Sequence, residues 1–256
     1  IGVGSQRIGI EDPERARFFK IREVAPEAPV FANIGGAQLV DGWGVNEALK
    51  AVEMVEADAL FIHLNPLQEA IQGGDRKFSG LARALEKLCA SLAKDGIPVF
   101  AREVGFGFTS DAARRVLECG VAGMDCAGAG GTSWAKVEAK CSDNSERRAL
   151  GELFAEWGTP TASSIVNVRA VDAKIPLIAT GGLRSGVDLA KALVLGADIG
   201  AMARPLLVQA HEGAEALDAY VERMLNELRV CMFAIGAGSI AALKQTSHMI
   251  EPASSN

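Results

Sequence analysis

Six short apolar runs, each followed by a helical pattern and each ending in a polar or Gly-rich turn, predict an α/β chain of the (β/α)8 TIM-barrel class. The runs are continuously apolar, as strands covered on both faces are, instead of alternating. Their spacing is regular and shows no break in composition, so residues 1–256 read as a single barrel domain. Turn chemistry is concentrated after the runs, at the strand ends where such barrels gather their ligands. A barrel needs eight strands and six are visible. The chain opens at Ile1-Gly-Val-Gly without a methionine, inside a Gly-rich turn, so the first one or two βα units are expected upstream of Ile1.

The first run is Val30–Gly35, entered through Pro29 and ending in Asn-Ile-Gly-Gly. Val45, Leu49, Val52 and Val55 then recur at helical spacing over 43–56. Ala59–Leu64 is the next strand, stopped by Pro66. Leu81, Leu85, Leu88 and Leu92 predict a helix over 80–94, followed by a strand within Pro98–Gly105 and a helix near 110–119. Gly123–Gly128 runs into Gly-Ala-Gly-Gly-Thr-Ser133. Residues 134–158 are polar and partly helical, with Trp134 and Trp157 placed to pack on a neighbour. A helix over 160–172, the strand Pro176–Gly182, a helix over 186–195 and the strand Ile199–Ala203 follow. A long amphipathic helix over 213–235 closes the pattern, and the last ten residues read as a loose tail.

Composition narrows the function classes. The 256 residues are 49% hydrophobic and 23% charged, with a net charge of −6, which disfavours a nucleic-acid surface. Cys89, Cys119, Cys126, Cys141 and Cys231 show no Cys-x-x-Cys pair, and read as reduced thiols of a cytoplasmic protein without a zinc site. No apolar run reaches the ~18 residues a membrane helix needs, and no signal peptide is recognisable.

The densest chemistry is His63-Leu-Asn-Pro-Leu-Gln-Glu69, which sets an imidazole, two carboxamides and a carboxylate at the end of a buried strand. Polar groups there either cap their own loop or hold a ligand, and the other strand ends favour a ligand. Gly181-Gly-Leu-Arg184 and Ala203-Arg204-Pro205 end consecutive late strands, where backbone N–H groups and helix starts cradle phosphate. Two such turns, each with an arginine, point to a phosphate-bearing ligand. Arg102 and Glu103 place charge inside an apolar strand, for an anionic or electron-rich ligand or for an internal ion pair. Asp125 reads as a buried structural acceptor, and His211 and His248 as surface residues. Thr132 and Ser133 add hydroxyls at the barrel mouth. Glu69 is a hard oxygen ligand of the kind Mg²⁺ prefers, and Ser5-Gln6-Arg7 suits an anionic group.

Taken together, Gly4-Ser-Gln-Arg7, Ala32-Asn-Ile-Gly35, His63–Glu69, Glu103-Val-Gly105, Gly128–Trp134, Trp157–Thr161, Gly181–Arg184 and Ala203-Arg-Pro205 resemble the FMN-dependent type 2 isopentenyl-diphosphate isomerases. They occur in family order along nearly the whole chain, and the His63–Glu69 and Gly128–Trp134 strings are the distinctive ones. The resemblance implies a homo-oligomeric barrel, a tetramer or larger, that interconverts isopentenyl and dimethylallyl diphosphates in isoprenoid biosynthesis. It implies FMN, Mg²⁺, and NADPH as the flavin reductant. Ser5, Asn33, Arg102, Thr132, Gly181, Gly182, Leu183, Arg184, Ala203 and Arg204 would contact FMN. Ser5, Gln6, Arg7, His63, Asn65 and Gln68 would face substrate, with Gln68 and His63 catalytic and Glu69 on the metal. Arg102 stands where the family has lysine, and the family's N-terminal Arg-Lys clamp and Met-Thr-Gly flavin loop are not in this sequence. The alternatives are an FMN-dependent 2-hydroxy-acid oxidase and a non-catalytic barrel that binds a phosphate ligand.

Overall fold

All six apolar runs form parallel strands of one sheet, ordered β1 to β6 as in the chain. They are β1 (Phe31–Gly35), β2 (Ala59–Leu64), β3 (Val99–Glu103), β4 (Gly123–Asp125), β5 (Leu177–Ala179) and β6 (Ile199–Gly200). The computed structural model describes residues 1–74 and 77–246; His248 and the expected tail lie outside the described residues. Strand order equal to chain order, with helices as crossovers, is the winding of a (β/α)8 barrel, and six of its strands lie among the described residues.

The register fixes two faces. Gly35 pairs with His63, His63 with Arg102, and Arg102 with Asp125, so these four share the lumen side. Deeper on that side, Phe31 stacks on Phe61 with centroids 4.5 Å apart and meets Phe100 edge-on at 5.3 Å. The other face carries Ala32, Ile34, Leu60, Ile62, Val99, Ala101, Met124 and Leu177, all buried against the helices. Ala48, Ala51 and Val55 come down on it from the helix Val45–Val55, and Leu85, Leu88 and Leu92 from Leu81–Leu92. Truncating a core residue such as Ile62, which is fully buried, costs about 2–5 kcal/mol.

The expected helices appear at Ser110–Leu117, Trp134–Cys141, Ser145–Leu153, Thr161–Val171, Gly186–Val194 and Ala214–Ala234. Several details differ from the expectation. Pro66 does more than stop β2: it sits at the first position of a helix, Pro66–Gln72, where its missing N–H is no loss. Glu69 therefore lies in that helix's first turn. A second proline-started helix, Arg204–Glu212, follows β6. The opening residues are more than a turn, because Gly2 bridges in parallel to Phe31 and lays the N-terminal segment along β1. The later strands are shorter than their apolar runs, as β4 gives way after Asp125 to a loop in which Ala127 takes a positive φ of 30°.

Candidate active site at the strand ends

The lumen side carries a row of polar groups at the C-terminal ends of the strands. It begins at Gln6, whose side chain is fully buried: its Oε1 accepts from Asn33 N at 2.8 Å and its Nε2 donates to Ala51 O at 2.8 Å. Sequence reading set Gln6 toward substrate, whereas its carboxamide is turned into the fold and latches the N-terminal segment to β1. Asn33 Oδ1 lies 2.8 Å from His63 Nδ1, and Asn33 Nδ2 donates to Val3 O at 3.0 Å. Burial, and secondarily the Arg102 charge, pull the His63 pKa down to about 4, so the ring is neutral at pH 7. Space beside it depends on Gly35, where a Cβ would lie 2.0 Å from Gln38 Oε1 and 2.9 Å from His63 Nε2.

The row continues with an internal ion pair. Arg102 Nε sits 3.0 Å from Asp125 Oδ2, and the guanidinium lies 4.8 Å over the Phe61 ring. Asp125, buried as expected, also accepts from Thr180 Oγ1 at 2.5 Å and from Ala127 N at 3.3 Å. The internal ion pair offered for charge in β3 is present, with Asp125 as the partner of Arg102. Glu103 is not beside Arg102 at all. The pleat turns it to the opposite face, where its Oε2 accepts from the backbone N–H groups of Val104, Gly105, Phe106 and Gly107. It holds the loop after β3, and burial raises its carboxyl to about 7.

After β2 the helix Pro66–Gln72 brings three expected residues together. Asn65, at its start, donates to Glu69 Oε1 at 3.0 Å and to Gln68 Oε1 at 3.3 Å. Its own Oδ1 is buried without a hydrogen-bond partner among the described residues. Gln68 Nε2 donates to Glu138 Oε1 at 2.9 Å. Glu138, on the helix Trp134–Cys141, was not picked out from the sequence; it is the single carboxylate of a short helix, seventy residues from its partner. Ser5 and Thr132 are exposed at the rim, and Arg7 Nε donates to Glu11 at 2.9 Å.

The glycine turns pack on each other. Gly181 and Gly182 have φ of 97° and 89°, and a Cβ on Gly182 would stand 2.5 Å from the Gly130 carbonyl. Arg184 ties the two loops, donating to Gly182 O at 2.9 Å and to Gly130 O at 2.8 Å. Leu183 is buried beneath them. The start of Gly186–Val194 is already used: Ser185 caps it, and Gly186 N donates to Glu227 at 2.8 Å. The start of Arg204–Glu212 differs, because Ala203 supplies no side-chain cap there. Both Ala203 and Arg204 are exposed.

Parallel strands, a polar lumen row and glycine loops over the last strands define a class that sequence comparison also finds. Residues 105–251 match the family of FMN-dependent dehydrogenases. In fold the chain is similar to GMP reductase from Trypanosoma brucei (TM-score 0.56, 21% identity, 84% of this chain and 44% of that one). It is similar also to a lactate oxidase of Pediococcus acidilactici (TM-score 0.57, 20% identity, 89% of this chain and 64% of that one). Much nearer in sequence are the isopentenyl-diphosphate delta-isomerase of Nostoc sp., 46% identical over 97% of this chain and 71% of that protein, and that of Xanthobacter autotrophicus, 48% identical over 96% and 71%. The chain belongs to the isopentenyl-diphosphate delta-isomerase family.

Proposed function

We propose that this chain is an isomerase that interconverts isopentenyl and dimethylallyl diphosphates, with FMN and Mg²⁺ bound at the strand ends. The observation that carries the reading is the cluster after β2, where a buried, unpartnered Asn65 Oδ1 stands beside Gln68 and Glu69, next to a neutral His63. An orphaned buried acceptor is costly, and a ligand at that point removes the cost.

The residues present fit both groups. For the FMN phosphate there is a glycine turn that a Cβ would fill, with the uncapped start of Arg204–Glu212 on the neighbouring unit. Gly181, Gly182, Leu183, Arg184, Ala203 and Arg204 would hold the phosphate, with Ser5 and Thr132 at the rim. For Mg²⁺ there are oxygen donors only: the Glu69 carboxylate, the Asn65 carbonyl, and Glu138 reached through Gln68. Bound in its reduced form, FMN supplies proton-relay chemistry at the alkene, and NADPH serves only to reduce it.

The double bond moves by gain of a proton at one carbon and loss of one at another, with no net redox change. Arg7 binds the diphosphate and anchors it away from the reacting carbons, while the Asn65 carbonyl turns to the metal. Gln68, held by Asn65 and Glu138, orients the alkene by hydrogen bonding. His63 offers a neutral ring nitrogen as a proton acceptor. Arg102, held by Asp125, turns the rest of its guanidinium toward the flavin. Trp157 and Leu153, 63% and 77% exposed near the end of Ser145–Leu153, support an interface between copies of a homo-oligomer. Among the described residues no helix is long and apolar enough to cross a membrane. A cytoplasmic place in isoprenoid biosynthesis belongs to the same proposal.

The test uses the protein under anaerobic conditions, with dithionite-reduced FMN, Mg²⁺ and isopentenyl diphosphate. Dimethylallyl diphosphate formed while the flavin stays reduced is the expected result. Tight flavin binding without product, or product formed only as the flavin is oxidised, would overturn it.

A further inference from the structure

We propose that Asn33 is a positioning residue that holds His63 in its Nδ1–H tautomer, leaving Nε2 as a hydrogen-bond and proton acceptor toward the ligand. The inference rests on the reading above that His63 faces substrate. It adds a second role to Asn33, which the family resemblance gave to FMN.

Two directional hydrogen bonds decide the tautomer, with the Ile34 carbonyl as a further acceptor beside the ring. Asn33 Nδ2 donates to the Val3 carbonyl at 3.0 Å, and a carbonyl only accepts, so the orientation of the Asn33 amide is set. Its Oδ1 therefore faces His63 Nδ1 at 2.8 Å, and since Oδ1 also only accepts, the proton must reside on Nδ1. The same logic fixes the support behind it. Gln6 N donates to Asn33 O at 2.9 Å, Gln6 Oε1 takes Asn33 N at 2.8 Å, and Gln6 Nε2 is spent on Ala51 O at 2.8 Å. Gln6 is fully buried and Asn33 is 6% exposed, so water does not compete for these bonds. At the far side of the ring Gly35 lacks the Cβ that would press on Nε2.

The consequence is chemical. An imidazole held with one proton on Nδ1 is an acceptor at Nε2, not a cationic clamp, so neutralising the diphosphate falls to Arg7 and the metal. His63 is left to accept a hydrogen bond or a proton from the ligand.

The experiment is a two-bond ¹H–¹⁵N correlation of the imidazole nitrogens in ¹⁵N-labelled, FMN-loaded protein. The chain has three histidines, and His63→Gln assigns the relevant signals. The expected result is an Nδ1–H pattern for His63 in the unmodified protein and in Asn33→Asp, where a carboxylate still accepts. In Asn33→Ala the pattern is lost, and kcat per bound flavin falls about tenfold to a hundredfold. An Nε2–H signal in the unmodified protein overturns the proposal, even if Asn33→Ala fails to fold. So does an Asn33→Ala protein that keeps the Nδ1–H pattern, or one that loses it without loss of kcat. If the unmodified enzyme turns over no isopentenyl diphosphate, the functional reading fails, and the tautomer signal still decides the role of Asn33.

Discussion

Replacing Asp125 by Asn tests whether the Arg102–Asp125 pair organises the lumen. The carboxylate is 1% exposed and takes three donors: Arg102 Nε at 3.0 Å, Thr180 Oγ1 at 2.5 Å and Ala127 N at 3.3 Å. Asparagine keeps the shape but removes the charge, and it turns an NH₂ group toward at least one of those donors. Breaking a buried pair from one side costs about 3–5 kcal/mol, since the surviving charge is left without its partner. Here the Arg102 side chain is 24% exposed and rests on the Phe61 ring, so water and the ring recover part of that loss. The expected cost is about 2–3 kcal/mol, a fall in Tm of roughly 5–10 °C for a chain of this size. Adding Arg102→Met removes the stranded charge, so the double variant should be less destabilised than the sum of the singles by about 1–2 kcal/mol. Urea unfolding followed by circular dichroism, with the slope checked for constancy, gives all four corners of the cycle. Strictly additive singles, or an Asp125→Asn cost under about 0.5 kcal/mol, would refute the reasoning, because the pair would then be an exposed contact of little weight.

Three further outcomes are expected. Gln68→Ala should lose about a hundredfold in kcat with full flavin content, and full turnover would sink its orienting role. His63 titrates near 4 when folded against 6.5 when unfolded, so its share of stability is present above pH 6.5 and is lost as pH falls toward 4, up to about 3 kcal/mol. Glu103, raised to about 7, works in the opposite sense between roughly pH 4.5 and 7, so the measurement is the difference between the unmodified protein and His63→Gln across that window. A difference independent of pH contradicts a buried neutral imidazole. Gly182→Ala places a Cβ at φ 89° and 2.5 Å from the Gly130 carbonyl, costs ~1–2 kcal/mol in strain alone, and forces the two loops apart. FMN retained on dialysis should fall; unchanged retention would remove these loops from the phosphate site.

What was legible in the sequence was whatever one segment decides by itself. The strands announced themselves because a run such as Ala59–Leu64 has no polar face to offer, and the helices because leucines such as Leu81, Leu85, Leu88 and Leu92 repeat at one spacing. The cluster His63–Glu69 was visible for the same reason, since its polar groups sit together in seven consecutive residues. Pairings across the sheet were not visible in this way. Gln6 reads as a mouth residue until the chain's opening segment is laid along β1, whereupon its amide meets Asn33 and Ala51. Glu138 could be linked to Gln68 only through a contact between two helices seventy residues apart in the chain. Arg102 and Glu103 make the point most sharply. Adjacent charges in a strand must point to opposite faces, so their proximity in sequence separates them in space: one joins Asp125 in the lumen while the other gathers four backbone N–H groups behind it. The pleat rule alone excluded a shared role for the two. What it left undetermined was the partner of each, because a partner depends on the register with β4 and on the path of the loop after β3, and neither is written in the strand itself.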